Sequence, residues 1–297
     1  MGQNMNTSFV QIANKWKEIE GKCCEANCIT TEKPIGNCIK GSGFVSLIND
    51  ENIEYIEYVK KDDSYVTNML TSINAENSFN KPKDCLDYSI FYFEIKYKIK
   101  EEKNIDNLRS LVFGLKNSKN NYVKLDITSK TISFNVQNKD ALDCRVCLKT
   151  IWNSNDIVGC GLVYPPSSID DRPYIFFTHN GEKIVSSTPP PCYFLLECHN
   201  GKTIMLNENS DDYRPFIHLK CFSVETNFGK DLKSNPFAYD FSKHKIYKYS
   251  DFEKDLNQLV EMFPFITKEG MKHLLLTKGG VKTIVSNKLR LITTYFS

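Results

Sequence analysis

From Tyr88 to Phe228 short apolar runs alternate with polar residues and are broken at close intervals by Asn, Gly, Asp, Ser or Pro. That rhythm predicts the strands of an antiparallel β-sandwich. The clearest hairpin joins Tyr174-Ile175-Phe176-Phe177-Thr178-His179 to Glu182-Lys183-Ile184-Val185 through Asn180-Gly181. Both residues of such a turn take φ > 0 to match the strand twist, which Asn and Gly tolerate. Upstream, Phe44 to Ile48 and Ile53 to Val59 read as the first strands, and Asn74 to Asp87 as an irregular lead-in. Gly159 and Gly161 share one face of the strand Ile157 to Tyr164, which leaves room for the rings of the Phe176/Phe177 hairpin.

Outside that region the period changes. Phe9, Ile12, Trp16 and Ile19 fall on one face of a helix that Thr7 or Ser8 would cap. After Phe241, Phe252, Leu256, Leu259, Val260 and Phe263 recur at helical spacing and stop at Pro264. A second helix starts at Thr267 and carries Met271, Leu274 and Leu275 as far as Gly279-Gly280. A third carries Val281, Ile284, Val285, Leu289 and Ile292. The fold class expected is mainly β. Residues 1–87 form an N-terminal helix and a Cys-rich lead-in, 88–241 the sandwich, 242–250 a linker, and 251–297 a three-helix bundle.

The segment Asp156-Ile157-Val158-Gly159-Cys160-Gly161, followed by Ile175-Phe176-Phe177-Thr178-His179-Asn180-Gly181, resembles the centre of a SPRY domain. Further blocks occur in that family's order: Tyr92-Phe93-Glu94-Ile95-Lys96, Phe113-Gly114-Leu115, Tyr213-Arg214-Pro215-Phe216-Ile217, and Asn227-Phe228-Gly229 with Pro236-Phe237-Ala238-Tyr239-Asp240. The likeness spans Tyr88 to Phe241 and is nearest in tone to the Ran-binding scaffold proteins of the family. Two long insertions, around Lys100 to Ser110 and Cys192 to Asp212, depart from the pattern. The resemblance implies a protein-interaction module that binds a peptide or protein partner through loops at one end of the sandwich. The loop residues that would do so here are Tyr164, Arg172, Tyr174, Asp212, Tyr213 and Arg214, since Tyr and Arg are favoured anchors.

The C-terminal helices, with Met262-Phe263-Pro264 closing the first, resemble a CUE domain. That likeness implies a ubiquitin-binding surface of Met262, Phe263, Pro264 and Leu289, although Arg290 stands where the family carries a second Leu.

Composition narrows the function classes. A net charge of +2 gives no electrostatic reason to expect nucleic acid as partner. The basic stretch Lys243 to Lys248 therefore reads as a solvated linker. No apolar run reaches the ~18 residues that span a bilayer, and the first residues have neither a basic region nor an apolar one of the secretory type. Gly2 lacks the Ser or Thr four residues on that myristoylation favours; Asn6 is there instead. Eleven cysteines, an odd number without an export signal, fit a reducing, cytoplasmic location.

Chemistry-bearing residues show few workable spacings. Cys23, Cys24, Cys28 and Cys38 include a Cys-x3-Cys pair of permissible zinc spacing, but they lack a clean second Cys-x2-Cys. No metal or other cofactor is assigned from the sequence. Cys144 and Cys147 lie in an apparent strand and not at a helix start, as a redox pair requires. Neighbours Cys198 and His199 face opposite ways on a strand, and Gly201-Lys202-Thr203 lacks the glycine that begins a phosphate loop. The sequence thus reads as a non-enzymatic adaptor. The alternatives are a ubiquitin-pathway component and a zinc-stabilised enzyme or regulatory protein.

Overall fold

The computed structural model describes residues 7–36, 38, 43–57, 68–83, 85–100, 109–135, 144–168, 171–184, 198–199, 203–206 and 212–246, with isolated positions 257, 261, 267 and 268. In chain order the strands are β1 (Thr7–Phe9), β2 (Trp16–Glu20), β3 (Phe44–Leu47), β4 (Asn52–Ile56), β5 (Thr71–Ala75) and β6 (Phe79–Asn80). They continue with β7 (Tyr88–Ile99), β8 (Ser110–Lys116), β9 (Tyr122–Asp126), β10 (Thr131–Asn135), β11 (Cys144–Cys147) and β12 (Ile157–Tyr164). The last are β13 (Tyr174–His179), β14 (Glu182–Lys183), β15 (Cys198–His199), β16 (Thr203–Met205), β17 (Asp212–Lys220) and β18 (Phe222–Asn227).

Two sheets stack face to face. The first runs β15-β16-β13-β12-β7-β18-β4-β3, with β14 beside β13 and β1 parallel to the start of β7. The second runs β11-β10-β9-β8-β17-β5-β2, with β6 beside β17. All pairings apart from that of β1 are antiparallel within these strands.

Alternation explains where the core lies. Along β7, Phe91, Phe93, Ile95 and Tyr97 join the main core, beside Val158, Cys160 and Leu162 of β12. The facing sheet supplies Leu111, Phe113 and Leu115 of β8 and Ile217 and Leu219 of β17. Phe93 sits at the aromatic centre, with Phe228 stacked on it at 5.7 Å and Phe113 edge-on at 6.0 Å. The other face of β7 is buried too. Tyr88, Ile90 and Tyr92, with Val163, Tyr174, Phe176 and Tyr239, form a second cluster covered by Phe9, Phe237, Phe241 and Ile246. A strand buried on both faces needs side chains that tolerate burial at every position, hence the near-continuous run Tyr88 to Ile95.

The Asn180-Gly181 turn has φ of 49° and 81°, as the hairpin pattern predicts. Gly161 sits under the Phe176 ring as expected, but the neighbours of Gly159 are the hydroxyls of Tyr92 and Thr178, not Phe177. Phe177 and Phe228 belong to the main core, and Trp152 is half-buried at its margin.

The expected N-terminal helix is absent: its residues form β1 and β2. Trp16 and Ile19 both enter the core because the β2–β5 register shifts between Trp16 and Glu18. The extra residue, Lys17, turns two positions three apart toward the same side, which imitates helical spacing in a strand. Residues 7–80 thus supply six strands to the same two sheets. Residues 242–246, read as solvated linker, lie against the sandwich, where His244 is buried and Ile246 packs on the second cluster. The three-helix unit, including Met262, Phe263, Pro264, Leu289 and Arg290, lies outside the described residues. No helix among the described residues is long and apolar enough to cross a membrane.

Candidate functional site

The six loop residues expected to form one binding surface are split between core and surface. Tyr164, Tyr174 and Tyr213 are buried, with 1 %, 0 % and 2 % of their surface exposed. The Tyr164 hydroxyl donates to the Phe79 carbonyl at 3.0 Å, and the Tyr174 hydroxyl meets His244 Nε2 at 2.9 Å. These rings complete packing and are removed from any open surface. Each sits at a strand end, where sequence alone reads as loop. Arg172 is half-buried before β13, its N–H bonded to Asp171 Oδ1. Asp212 and Arg214 share a concave site.

That site is a polar cleft of about 290 Å³ on the second sheet. β2 contributes Glu18 and Glu20, β5 Asn74, β8 Lys116, and β17 Asp212 and Arg214. Arg214 Nη1 lies 3.1 Å from Glu18 Oε2, and Lys116 Nζ 3.0 Å from Glu20 Oε1. Asn74 Nδ2 donates to Glu20 Oε1 at 2.7 Å and to Glu18 Oε2 at 3.3 Å. Burial alone would raise the Glu20 carboxyl, but the bonds from Asn74 and Lys116 outweigh it and hold its pKa at about 2. Asn74 is 2 % exposed, and among the described residues its Oδ1 meets no hydrogen-bond donor.

One lip of the cleft is a rigid turn. Asn117 Oδ1 accepts from the N–H groups of Lys119 and Asn121, and Asp212 Oδ2 accepts from Ser118 N–H at 3.0 Å. Asn120 takes the left-handed conformation, φ 61°, that an Asn adopts most readily. Glu18, Glu20, Asn74 and Lys116 carry no motif and were missed in the sequence. The i, i+2 pair Glu18/Glu20 would have pointed to one strand face only if that segment had been read as a strand.

A second assembly involves sulfur. The Sγ atoms of Cys23, Cys24, Cys28 and Cys38 all lie within 4.8 Å of one another. Cys24 and Cys28 approach to 3.4 Å, and Cys23 and Cys24 to 3.8 Å. The Ile29 N–H donates to Cys23 Sγ at 3.2 Å. The backbone N–H of Cys28 and the neighbouring thiol lower the Cys24 thiol to about 6. Sequence spacing had left these residues without an assigned metal; folding supplies the missing proximity.

Two histidines, His179 and His244, are held by structural partners. His179 Nε2 meets Asp156 Oδ2 at 2.8 Å under the Trp152 ring, and Asp156 also accepts from Asn153 N–H and Asn180 Nδ2. This knot locks the β13–β14 hairpin to the turn before β12. His244 lies between the hydroxyls of Tyr174 and Tyr239, 2.9 and 2.8 Å away. Among the described residues no Ser, Thr or Cys side chain is hydrogen-bonded to a histidine.

No family model matches the chain, and no curated protein matches it. Among solved structures, the Emp47p carbohydrate recognition domain is similar at 11% identity over 62% of this chain and 84% of that one, with a TM-score of 0.35. The carbohydrate binding module CBM66 from Bacillus subtilis is 10% identical over 53% and 78%, TM-score 0.30. The Caenorhabditis elegans galectin LEC-6 is 9% identical over 50% and 93%, TM-score 0.29. At such scores no residue or ligand carries over. The two-sheet architecture rests on this chain's own strand pairings.

Proposed function

We propose that this chain is a non-enzymatic protein-interaction module of SPRY type that receives a short peptide or loop of a partner protein in the cleft of Glu18, Glu20, Asn74, Lys116, Asp212 and Arg214. The observation that carries the reading is the cleft itself, where the Glu18–Arg214 and Glu20–Lys116 pairs set carboxylates and cations side by side and Asn74 Nδ2 ties the two carboxylates together. The carboxylates favour ligand donors, while Lys116 and Arg214 favour a backbone carbonyl or an acidic side chain. An extended peptide supplies both in alternation.

The SPRY reading draws support from the way its motif blocks meet in space. Glu94 binds the N–H groups of Ala238 and Tyr239, Tyr92 stacks on Phe176 at 5.9 Å, and Gly159 clears the Tyr92 hydroxyl. The non-enzymatic part of the reading draws on His179 and His244, whose rings are engaged by structural partners. A cytoplasmic location, in keeping with the odd cysteine count, belongs to the same proposal.

The test pans a random peptide library displayed on phage against the folded full chain. Enriched peptides are then measured on Asn74→Ala and Arg214→Glu variants whose melting temperatures are also recorded. Enrichment of a consensus whose affinity falls tenfold or more in folded variants supports the cleft. Absence of any consensus, or a consensus indifferent to both changes, overturns it.

A further inference from the structure

We infer that Cys23, Cys24, Cys28 and Cys38 form a closed structural zinc site that clamps residues 21–36 and Cys38 to the sandwich. The inference is independent of the cleft and of any partner bound there.

Geometry is the first support. Four sulfurs around a tetrahedral zinc with bonds of about 2.3 Å stand about 3.8 Å apart. Here Cys24 and Cys28 are 3.4 Å apart, Cys23 and Cys24 3.8 Å, and no pair exceeds 4.8 Å. Four thiols brought together from three separate places in a loop match this set, whereas two disulfides would need only pairwise contact. The chain between Cys24 and Cys28 folds back tightly: Asn27 N–H donates to the Cys24 carbonyl at 3.0 Å, with Asn27 at φ 48°. The Ile29 N–H is already aimed at Cys23 Sγ, the kind of bond that stabilises a metal-bound thiolate.

Location is the second. Residues 21–43 join β2 to β3 without a strand or helix among their described members. Structureless connections longer than about 12–15 residues are uncommon in compact domains. This one is nonetheless drawn onto the core. Cys23 and Ile29 are each 1 % exposed, and Cys24, Cys28 and Cys38 pack at the core margin. Outside the sulfurs, hydrogen bonds also fasten it, among them Thr31 Oγ1 to the Ile19 backbone, Leu47 N–H to the Pro34 carbonyl at 2.9 Å and Gly36 N–H to Ser46 Oγ at 3.2 Å. A metal cross-link supplies the order that regular structure does not.

Chemistry selects the ion. An all-sulfur tetrahedron suits zinc or iron, and four protein ligands leave no open position for a substrate, which is the mark of a structural site. On binding, each thiol releases its proton to solvent as its Zn–S bond forms, and no electron changes hands. The half-buried Cys24, Cys28 and Cys38 leave a path for the ion to enter.

The experiment uses the full chain purified without chelators. Elemental analysis should find about one zinc per chain. After chelation under reducing conditions, cobalt(II) should restore the visible bands of a tetrahedral thiolate complex. The Cys24→Ser and Cys28→Ser variants should lose both signals, and Cys147→Ser should keep them. In case the variants fail to fold, the unmodified chain gives a second reading: a strong chelator should lower its melting temperature and added zinc should restore it. Three results would overturn the site: no stoichiometric zinc together with no cobalt bands, iron in place of zinc, or a Cys24–Cys28 disulfide in protein trapped with a thiol-blocking reagent at lysis.

Discussion

Glu94 Oε2 accepts the backbone N–H of Ala238 at 2.9 Å, joining the centre of β7 to a segment 144 residues later. Its other oxygen accepts from Tyr239 N–H at 3.0 Å and from the Tyr92 hydroxyl at 2.8 Å. Tyr92 spends its one proton on Glu94, so at 2.6 Å it accepts from Thr178 Oγ1. One buried carboxylate thus straps residues 237–246 over the outer face of the first sheet. Burial raises the Glu94 pKa, and the bonds it accepts pull the other way.

Removing that carboxylate should loosen the strap. Glu94→Ala leaves the N–H groups of Ala238 and Tyr239 without their acceptor, at about 1–3 kcal/mol each where they stay buried, and leaves the Tyr92 hydroxyl with Thr178 alone. We expect a total loss of about 3–5 kcal/mol in urea unfolding, a size reserved for broken buried networks. Limited proteolysis should then cut within residues 237–246 before it cuts the sandwich. An unchanged unfolding midpoint would show that the strap is held by its aromatic rings alone.

Gly161→Ala should be destabilising by about 1–3 kcal/mol through overpacking. The added methyl overlaps the Phe176 ring, which is pinned between Tyr92 and Tyr239 and has no space to retreat into. Pairing the change with Phe176→Leu should recover part of the loss. The check is a thermal melt of both variants, and a loss no smaller in the double variant would refute ring overlap as the cause.

Phe228→Ala should cost about 3–5 kcal/mol. The ring is 3 % exposed and lies between Trp16 at 5.3 Å and Phe93 at 5.7 Å. Arg214→Ala should instead shift stability by less than about 0.5 kcal/mol, because its pair with Glu18 is exposed. Equilibrium unfolding of the two variants separates a core role from a cleft role, and a large loss from Arg214→Ala would make it structural.

Stability should fall on acidification below about pH 6.5. Burial, with Lys183 nearby, holds His244 at about 3; burial, with Lys116 and Lys124, holds His218 at about 4. Unfolded imidazoles titrate near 6.5, so between these values the unfolded chain binds protons that the folded chain refuses. The stabilisation is complete above 6.5 and is lost as pH drops toward 4 and then 3, with a limiting slope of about 1.4 kcal/mol per pH unit for each histidine. Glu94, with a raised pKa, opposes the trend only in the carboxylate range. Urea midpoints measured from pH 7.5 to 5 should decline, and His244→Gln should flatten the curve. A flat profile for the unmodified chain would contradict the burial of both rings.

How legible the sandwich was depended on range. The hairpin at Asn180-Gly181, the strands Ile157 to Tyr164 and Tyr174 to His179, and the glycine opposite Phe176 depend on neighbours and backbone angles, and all could be read directly. The first segment could not, because a bulge at Lys17 gives Trp16 and Ile19 a helical interval while the backbone stays extended. The cleft was invisible for a different reason. Glu18, Asn74, Lys116 and Arg214 are ordinary polar residues on four strands, and only the order β8-β17-β5-β2 makes them adjacent.

The amino-acid order by itself determined the antiparallel class and the Asn180-Gly181 hairpin, since alternation and φ > 0 are local properties. Only the tertiary structure decided which tyrosines are core and which polar groups face one another, because Tyr164, Tyr174 and Tyr213 look identical to exposed anchors until a second layer covers them. The same holds for the four thiols. Their spacing allows many arrangements, and only the folded chain sets Cys38 beside Cys23, Cys24 and Cys28. Contacts between distant residues follow from how faces stack, and a one-dimensional pattern carries the faces but not the stacking.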